Sequence, residues 1–353
     1  MICRPRFIAV VVSLLLLALV LARGAYSQAP DSGEYSSQLL AAVHAAESKY
    51  QGVTGCRICH SAGLTQQYLR NHVEDRIFMT ETLFWDKDLH SQALNSLTSE
   101  RGKRMAQLLG VDAMDPKAGC IQCHAGHDVP PTQENEGVSC EVCHGPSSGY
   151  SNPHIVPKWR AETPEQAEFR TSLGWVDIRS PITRAELCSS CHIGHKELKR
   201  EITHDMYAAG HPPLSGFELE SFADRMPRHW RYAVEKSHDP VATNRTQNAL
   251  VAAVVGMRTG AELVAAQTSD AAGTKNWPEL ASLDCYACHH ELESPGMRAV
   301  QAGIPGRPPI QLGCVPLVRV AARVASSGNT NQEINTELDE LKTAFTANSF
   351  GDP

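Results

Sequence analysis

The chain has 353 residues, a formal net charge of -7, 42% hydrophobic residues and only 6% aromatics. The negative charge speaks against nucleic acid and anionic membrane surfaces as partners, and favours a basic patch on another protein. With so few aromatics a conventional core would be thin, and the twelve cysteines and sixteen histidines become the residues to account for.

Arg4 and Arg6 precede an apolar run from Phe7 to Ala22, with small residues at Ala25 and Ser27. This order is that of a secretory signal. The run is about sixteen residues, short of the roughly twenty a spanning helix needs, so cleavage after Ser27 is expected; an uncleaved anchor is the alternative, because Arg23 follows the run. Loss of residues 1–27 removes three arginines and no acidic residue, moving the formal charge from -7 to -10. No other hydrophobic segment reads as long enough to cross a membrane.

Helical periodicity appears at residues 34–50, at 90–110 with Gly110 as a stop, at 246–267, and at 331–347, where Ile334, Leu338, Leu341 and Phe345 share a face. Between them lie loops rich in Pro, Gly, Ser and Asn, such as residues 128–137, 145–153 and 302–309. Strand-like alternation is scarce. The expected fold is mainly α, an irregular arrangement of helices and long loops.

Interleaved with these elements, one pattern recurs: CRICH (Cys56, Cys59, His60), CIQCH (Cys120, Cys123, His124), CEVCH (Cys140, Cys143, His144), CSSCH (Cys188, Cys191, His192) and CYACH (Cys285, Cys288, His289). In a helical turn positions i, i+3 and i+4 share one face, so two sulfurs and one imidazole reach a single flat object. C-x-x-C-H is the attachment signature of c-type haem: the thiols bond to the porphyrin vinyl groups and the histidine ligates iron. Roughly 0.02 copies are expected by chance from this composition, so five are decisive. Zinc knuckles need no histidine after each pair, and a thiol redox pair would normally occur once. Five covalent c-type haems are therefore the expected cofactors, and their faces supply the apolar surface the side chains lack.

Successive motifs are 64, 20, 48 and 97 residues apart, which excludes a simple tandem repeat and makes the second and third haems expected neighbours. At about sixty-five residues per haem the haems must share one or two cores. A division is expected near residue 240, with four motifs in residues 28–240 and the fifth in 241–353. Ten cysteines lie in motifs, Cys3 lies in the signal, and Cys314 is left, read as a small buried apolar residue with an intermolecular disulfide or an iron ligand as the alternatives.

Eleven histidines remain after the five proximal ones: His44, His72, His90, His127, His154, His195, His204, His211, His229, His238 and His290. They are enough to close every iron with a second imidazole. No methionine sits in an obvious ligand context, so low to middling reduction potentials are expected.

The run WDKDLHSQALNSL (85–97), then CIQCH, then GVSCEVCHGP with a histidine ten residues after its haem ligand, then CSSCH, resembles the tetrahaem cytochrome c-552/c-554 family over about residues 56–192. The resemblance implies His90 and His154 as distal ligands to haems other than the nearest one. His72 sits at the family's usual offset from the first motif but lacks its tryptophan, whereas Trp85 accompanies His90. The fifth motif departs from the tetrahaem pattern. There THDMYAAGHPPLSGFELESF (203–222) and MPRHW (226–230) resemble larger multihaem relatives and imply His204 and His211 as distal ligands. For the fifth ligand His127 and His195 are both available, with His127 taken as the candidate.

Two functions fit. One is an exported, periplasmic electron-transfer protein, passing electrons along closely packed bis-histidine haems between other redox proteins or quinol-linked donors. The other is an oxidoreductase acting on nitrite, hydroxylamine, nitric oxide or a small sulfur compound at one five-coordinate haem, which the resemblance keeps open because the family's second haem is typically five-coordinate. No C-x-x-C-K motif and no acid–base constellation is present, so no catalytic residue is assigned and electron transfer is preferred.

Overall fold

The computed structural model describes residues 49–61, 81–126, 136–161, 163–214, 216–230, 243–268, 277–290, 307–311, 313–325, 329–347 and 349–350. The signal segment, the helix expected at 34–50 and the histidines His44, His72, His127 and His238 lie outside them, as do most of the loops at 128–137 and 302–309.

The helices in chain order are α1 (Val53–Arg57), α2 (Glu81–Trp85), α3 (Asn95–Thr98), α4 (Glu100–Leu109), α5 (Cys120–His124), α6 (Cys140–His144), α7 (Pro164–Ser172), α8 (Pro181–His192), α9 (His204–Ala209), α10 (Leu219–Ala223), α11 (Thr243–Thr268), α12 (Val315–Ala325) and α13 (Asn329–Ala347). Among the described residues there is no strand, only the isolated bridges His195–Arg200 and Leu283–Ile310. The expectation of a mainly α fold with many loops is met.

Two units are distinguished by packing. One takes the described residues up to Leu187 together with those of Leu219–Thr246; the other takes Cys188–Glu218 and the described residues from Gln247 onward. Motifs one to three thus fold in the first unit, and motifs four and five in the second.

The expected helix at 90–110 is broken. Residues Leu89–Gln92 form a 3-10 turn, and Ser99, in an extended conformation (φ -65°, ψ 162°), ends α3 and caps α4. Its Oγ accepts from Gly102 N–H at 3.1 Å, so the hydroxyl competes successfully with helix continuation. The stop at Gly110 is where the sequence puts it, in the left-handed region at φ 66°. Ser99→Ala should cost about 1 kcal/mol, the usual worth of an N-cap, read as a lower chemical-denaturation midpoint with unchanged haem spectrum.

From Gln247 onward α11 lies in the second unit, where Val251, Val254, Val255, Met257 and Ala261 are fully buried. Arg245–Thr268 is long and apolar enough to cross a membrane by length and composition, which the sequence reading missed, but 78% of its apolar 18-residue stretch is buried, as in the core helix of a folded domain. The helix pair α12 and α13 closes on Val318, Ala321, Ile334, Leu338, Leu341 and Phe345, the last four being the face read from periodicity. Arg319 ties the pair across its edge to Asp339 at 2.6 Å.

Candidate functional site

Each motif forms the tight turn its spacing requires. In the first, Cys59 N–H and His60 N–H both donate to the Cys56 carbonyl, at 3.2 and 2.8 Å; in the fifth, Cys288 and His289 do the same to Cys285 at 3.2 and 2.7 Å. The second and third are single helical turns, α5 and α6, and the fourth ends α8. All ten motif cysteines are outside disulfides. Among the described residues no three His, Cys, Asp or Glu side chains gather as a closed zinc site would demand.

The first unit is built around the third motif. Glu141, 2% exposed, lies inside CEVCH and turns its carboxylate inward. It accepts from Gln51 N–H and Gly52 N–H at 2.9 and 2.7 Å and from Ser147 N–H at 2.7 Å. Buried Glu136 accepts from Val53 N–H at 2.9 Å, so two carboxylates clamp the entry of α1. The Cys56 and Cys140 side chains are close enough to shift one another's titration. The contact holds Cys56 below its ordinary pKa and, with burial, pushes Cys140 up. The first and third attachment turns therefore touch, a contact that their distance in the sequence conceals.

The second and third motifs pack against each other through Gly126, where an added Cβ would stand 2.5 Å from Val142. Ahead of the third motif, Trp85 Nε1–H donates to the Val138 carbonyl at 2.8 Å, and Val138 N–H donates to the His90 carbonyl at 2.9 Å. Gly137 permits this approach, since a Cβ there would lie 2.3 Å from the His90 oxygen. Trp85, His90 and GVSCEVCH are thus one docked assembly. His90 Nδ1 meets Asp88 Oδ1 at 3.1 Å. Burial alone would raise the Asp88 carboxyl, yet the bonds from the His90 ring and backbone hold it below its usual value.

Several imidazoles are oriented as metal ligands are, with Nδ1–H on a backbone carbonyl and the lone pair on Nε2. His124 Nδ1 lies 2.8 Å from the Ala93 carbonyl, with Ser96 Oγ also at 2.8 Å; His154 lies 3.1 Å from Tyr150 O, and His211 2.7 Å from Pro212 O. His195 is the reverse: its Nδ1 accepts from Leu198 N–H at 3.4 Å, which leaves the proton on Nε2. His144 is neutral: burial pulls its pKa down to about 4, with the charges of His229 and His60 adding to the effect. Its Nδ1 is buried with no hydrogen-bond partner, and its ring stacks on Trp175 at 5.2 Å.

Two pairs decide the fit to haem. Two metal–imidazole bonds of about 2.0 Å and two ring radii of about 1.1 Å put the centroids of a shared iron's histidines about 6.2 Å apart. His60 and His154 lie 6.1 Å apart with planes 18° from parallel, and His204 and His289 lie 6.3 Å apart at 32°. Each joins a proximal histidine to a sequence candidate for a distal ligand. The other candidates are placed differently: His90 at Asp88 and Val138, His211 at Pro212, and His127 outside the described residues.

The segment carrying His154 differs from the loose loop read at 145–153. It is a run of 3-10 turns, Ser147–Gly149 and Pro153–Ile155. Tyr150 O–H donates to the Gly145 carbonyl at 2.8 Å, and Tyr150 and Trp159 pack edge-on to His154 at 6.2 and 6.4 Å. Arg170, 4% exposed, donates to the carbonyl of Trp159 at 2.8 Å. His154 is therefore held by the packing and hydrogen bonds of its own segment.

The comparisons with curated proteins and with solved structures gave no match. Residues 55–145, about a quarter of the chain, match the family model described as cytochrome c554 and c-prime. That match spans the first three attachment motifs and supports a c-type cytochrome with covalently bound haem and an electron-transfer role.

Proposed function

We propose that the chain is an exported pentahaem cytochrome that relays electrons between redox partners through bis-histidine irons. The near-parallel His60–His154 pair, with ring centroids 6.1 Å apart, supports this reading, because two imidazoles on one iron would leave it no open position for a substrate. Bound haem supplies one-electron iron chemistry at a potential set by its axial ligands. The chain's part is to hold and tune. His60 and His154 would ligate the first iron. Tyr150 O accepts the Nδ1 proton of His154 and so directs Nε2 to the metal. Glu141 and Glu136 fix the first attachment turn against the third, so that Cys56 and Cys140 carry their groups side by side.

Mass spectrometry of the mature protein checks the count and the export together: a polypeptide beginning near Gln28, heavier by five haems that acid acetone does not extract. Four or fewer haems on fully matured protein, or retention of residues 7–22 in the membrane fraction, would overturn the corresponding half of the proposal. Magnetic circular dichroism separates the relay from the oxidoreductase. Only low-spin iron is expected; a high-spin component that shifts with nitrite, hydroxylamine or nitric oxide would instead establish an open catalytic haem.

A further inference from the structure

We propose that Arg200 sets the potential of the haem on the fourth motif: its buried guanidinium, held inside CSSCH, raises that potential above the value the axial ligands alone would give. This rests on the five-haem reading and goes beyond it by naming a residue that decides where an electron rests. Arg200 is 4% exposed. Its Nη1–H donates to Ser190 Oγ at 2.6 Å, and that hydroxyl lies 3.9 Å from Cys191 Sγ. Ser190 is one of the two residues between the attachment cysteines and is itself fully buried. A permanent positive charge therefore sits two short contacts from a sulfur that would join the porphyrin.

The chain after the motif folds back to bring that charge there. His195 N–H donates to Arg200 O at 2.7 Å and Arg200 N–H to His195 O at 3.0 Å, so the two residues pair across a tight hairpin. Lys199, at φ 53°, closes its turn by donating from N–H to Lys196 O at 3.0 Å. Lys196 and Glu201 form an ion pair at 2.9 Å across the base. On the other side α11 shuts the hairpin off from water. An added Cβ on Gly194 would lie 2.8 Å from Leu263 Cδ2, and one on Gly256 would lie 3.2 Å from Ile193 Cδ1. The same helix carries Arg258, 3% exposed, but its Nε lies 3.6 Å from Glu262 Oε1, so that charge is answered on its own helix. Arg200 meets a neutral hydroxyl in the motif. A ferric haem carries one more positive charge than a ferrous one, so a guanidinium in this dry setting favours the reduced form. At an effective dielectric of about 20, a unit charge about 10 Å from a redox centre is worth about one tenfold step in an equilibrium.

The test uses Arg200→Gln in the full-length matured protein. It should retain five haems by mass, keep the spin states of the wild type and lower one of the five potentials in an optical redox titration. The expected size is about a tenfold rise in that haem's ferric-to-ferrous ratio at a fixed potential, which is about 59 mV for one electron. Arg200→Lys keeps the charge and should return most of the shift, whereas a merely structural role would leave the lysine and glutamine variants equally displaced. Ser190→Asp covers the case in which the glutamine variant does not mature: it leaves Arg200 in place, sets a carboxylate against its guanidinium and should lower the same potential. Unchanged potentials in the glutamine or aspartate variant, or equal drops in the glutamine and lysine variants, would overturn the role of Arg200 and leave the haem count standing. Unmodified Cys188 and Cys191 in a peptide map of the wild type would overturn the five-haem reading instead.

Discussion

His154→Ala should keep all five covalent haems and turn one low-spin iron high-spin, with a raised potential and new affinity for carbon monoxide. The attachment chemistry is untouched, because Cys56, Cys59 and His60 remain on their own turn. What disappears is the imidazole 6.1 Å from His60. No neighbour is built to replace it: Tyr150 faces it edge-on with its hydroxyl committed to Gly145 O, and Trp159 has no metal-binding atom. Added imidazole should restore the low-spin signal. The loss should also lower stability, since a ligand held by one segment and a proximal histidine held by another make metal binding part of the folding free energy. An unaltered spectrum would show that His154 is only part of the packing around Trp159 and Trp175.

The second large effect is expected at Glu141. Replacement by alanine strips the acceptor from three backbone N–H groups, those of Gln51, Gly52 and Ser147. At about 1–3 kcal/mol for each buried donor left unsatisfied, with some relaxation toward water, the cost should be about 3–5 kcal/mol. Glu141→Gln should recover only part of this, because its amide presents hydrogens where oxygen is wanted. The spectroscopic consequence separates a positioning role from plain destabilisation. Loosening α1 moves His60 relative to His154, so the first haem alone should show a mixed spin state at temperatures well below unfolding. Uniform loss of all haem signals at a lowered midpoint, with no such early change, would reduce Glu141 to a stabilising group.

The C-x-x-C-H turns were legible as turns because the pattern is local: three side chains within five positions, whose spacing alone predicts one shared face. The face of α13 was legible for the same reason, a 3.6-residue period with Ile334, Leu338, Leu341 and Phe345 inside. The break at Ser99 was readable in principle, since a serine three residues before Gly102 can cap a new helix as well as continue an old one. Other features depend on contacts distant in sequence. Glu141 looks like an ordinary polar residue between two cysteines, and its partners lie about ninety positions away. Nor does spacing reveal that the fourth and fifth motifs, 97 residues apart, fold in one unit, or which of eleven histidines faces which. The stretch before His154 was read as loose because Gly, Pro, Ser and Asn mark turns, and such residues make tight, ordered turns as readily as mobile ones.

The neighbouring Cys56 and Cys140 thiols impose a condition on the order in which the protein is made. Each belongs to a different attachment turn, so an oxidant that removed two electrons and two protons from the pair would join them as a cystine and withdraw one anchoring sulfur from each of two haems. An oxidising compartment would favour that reaction. Once both sulfurs are thioethers the hazard is gone. On the proposed reading, in which both turns carry haem, the two thiols would have to stay reduced until the first and third haems are in place, and haem loading would compete with disulfide formation.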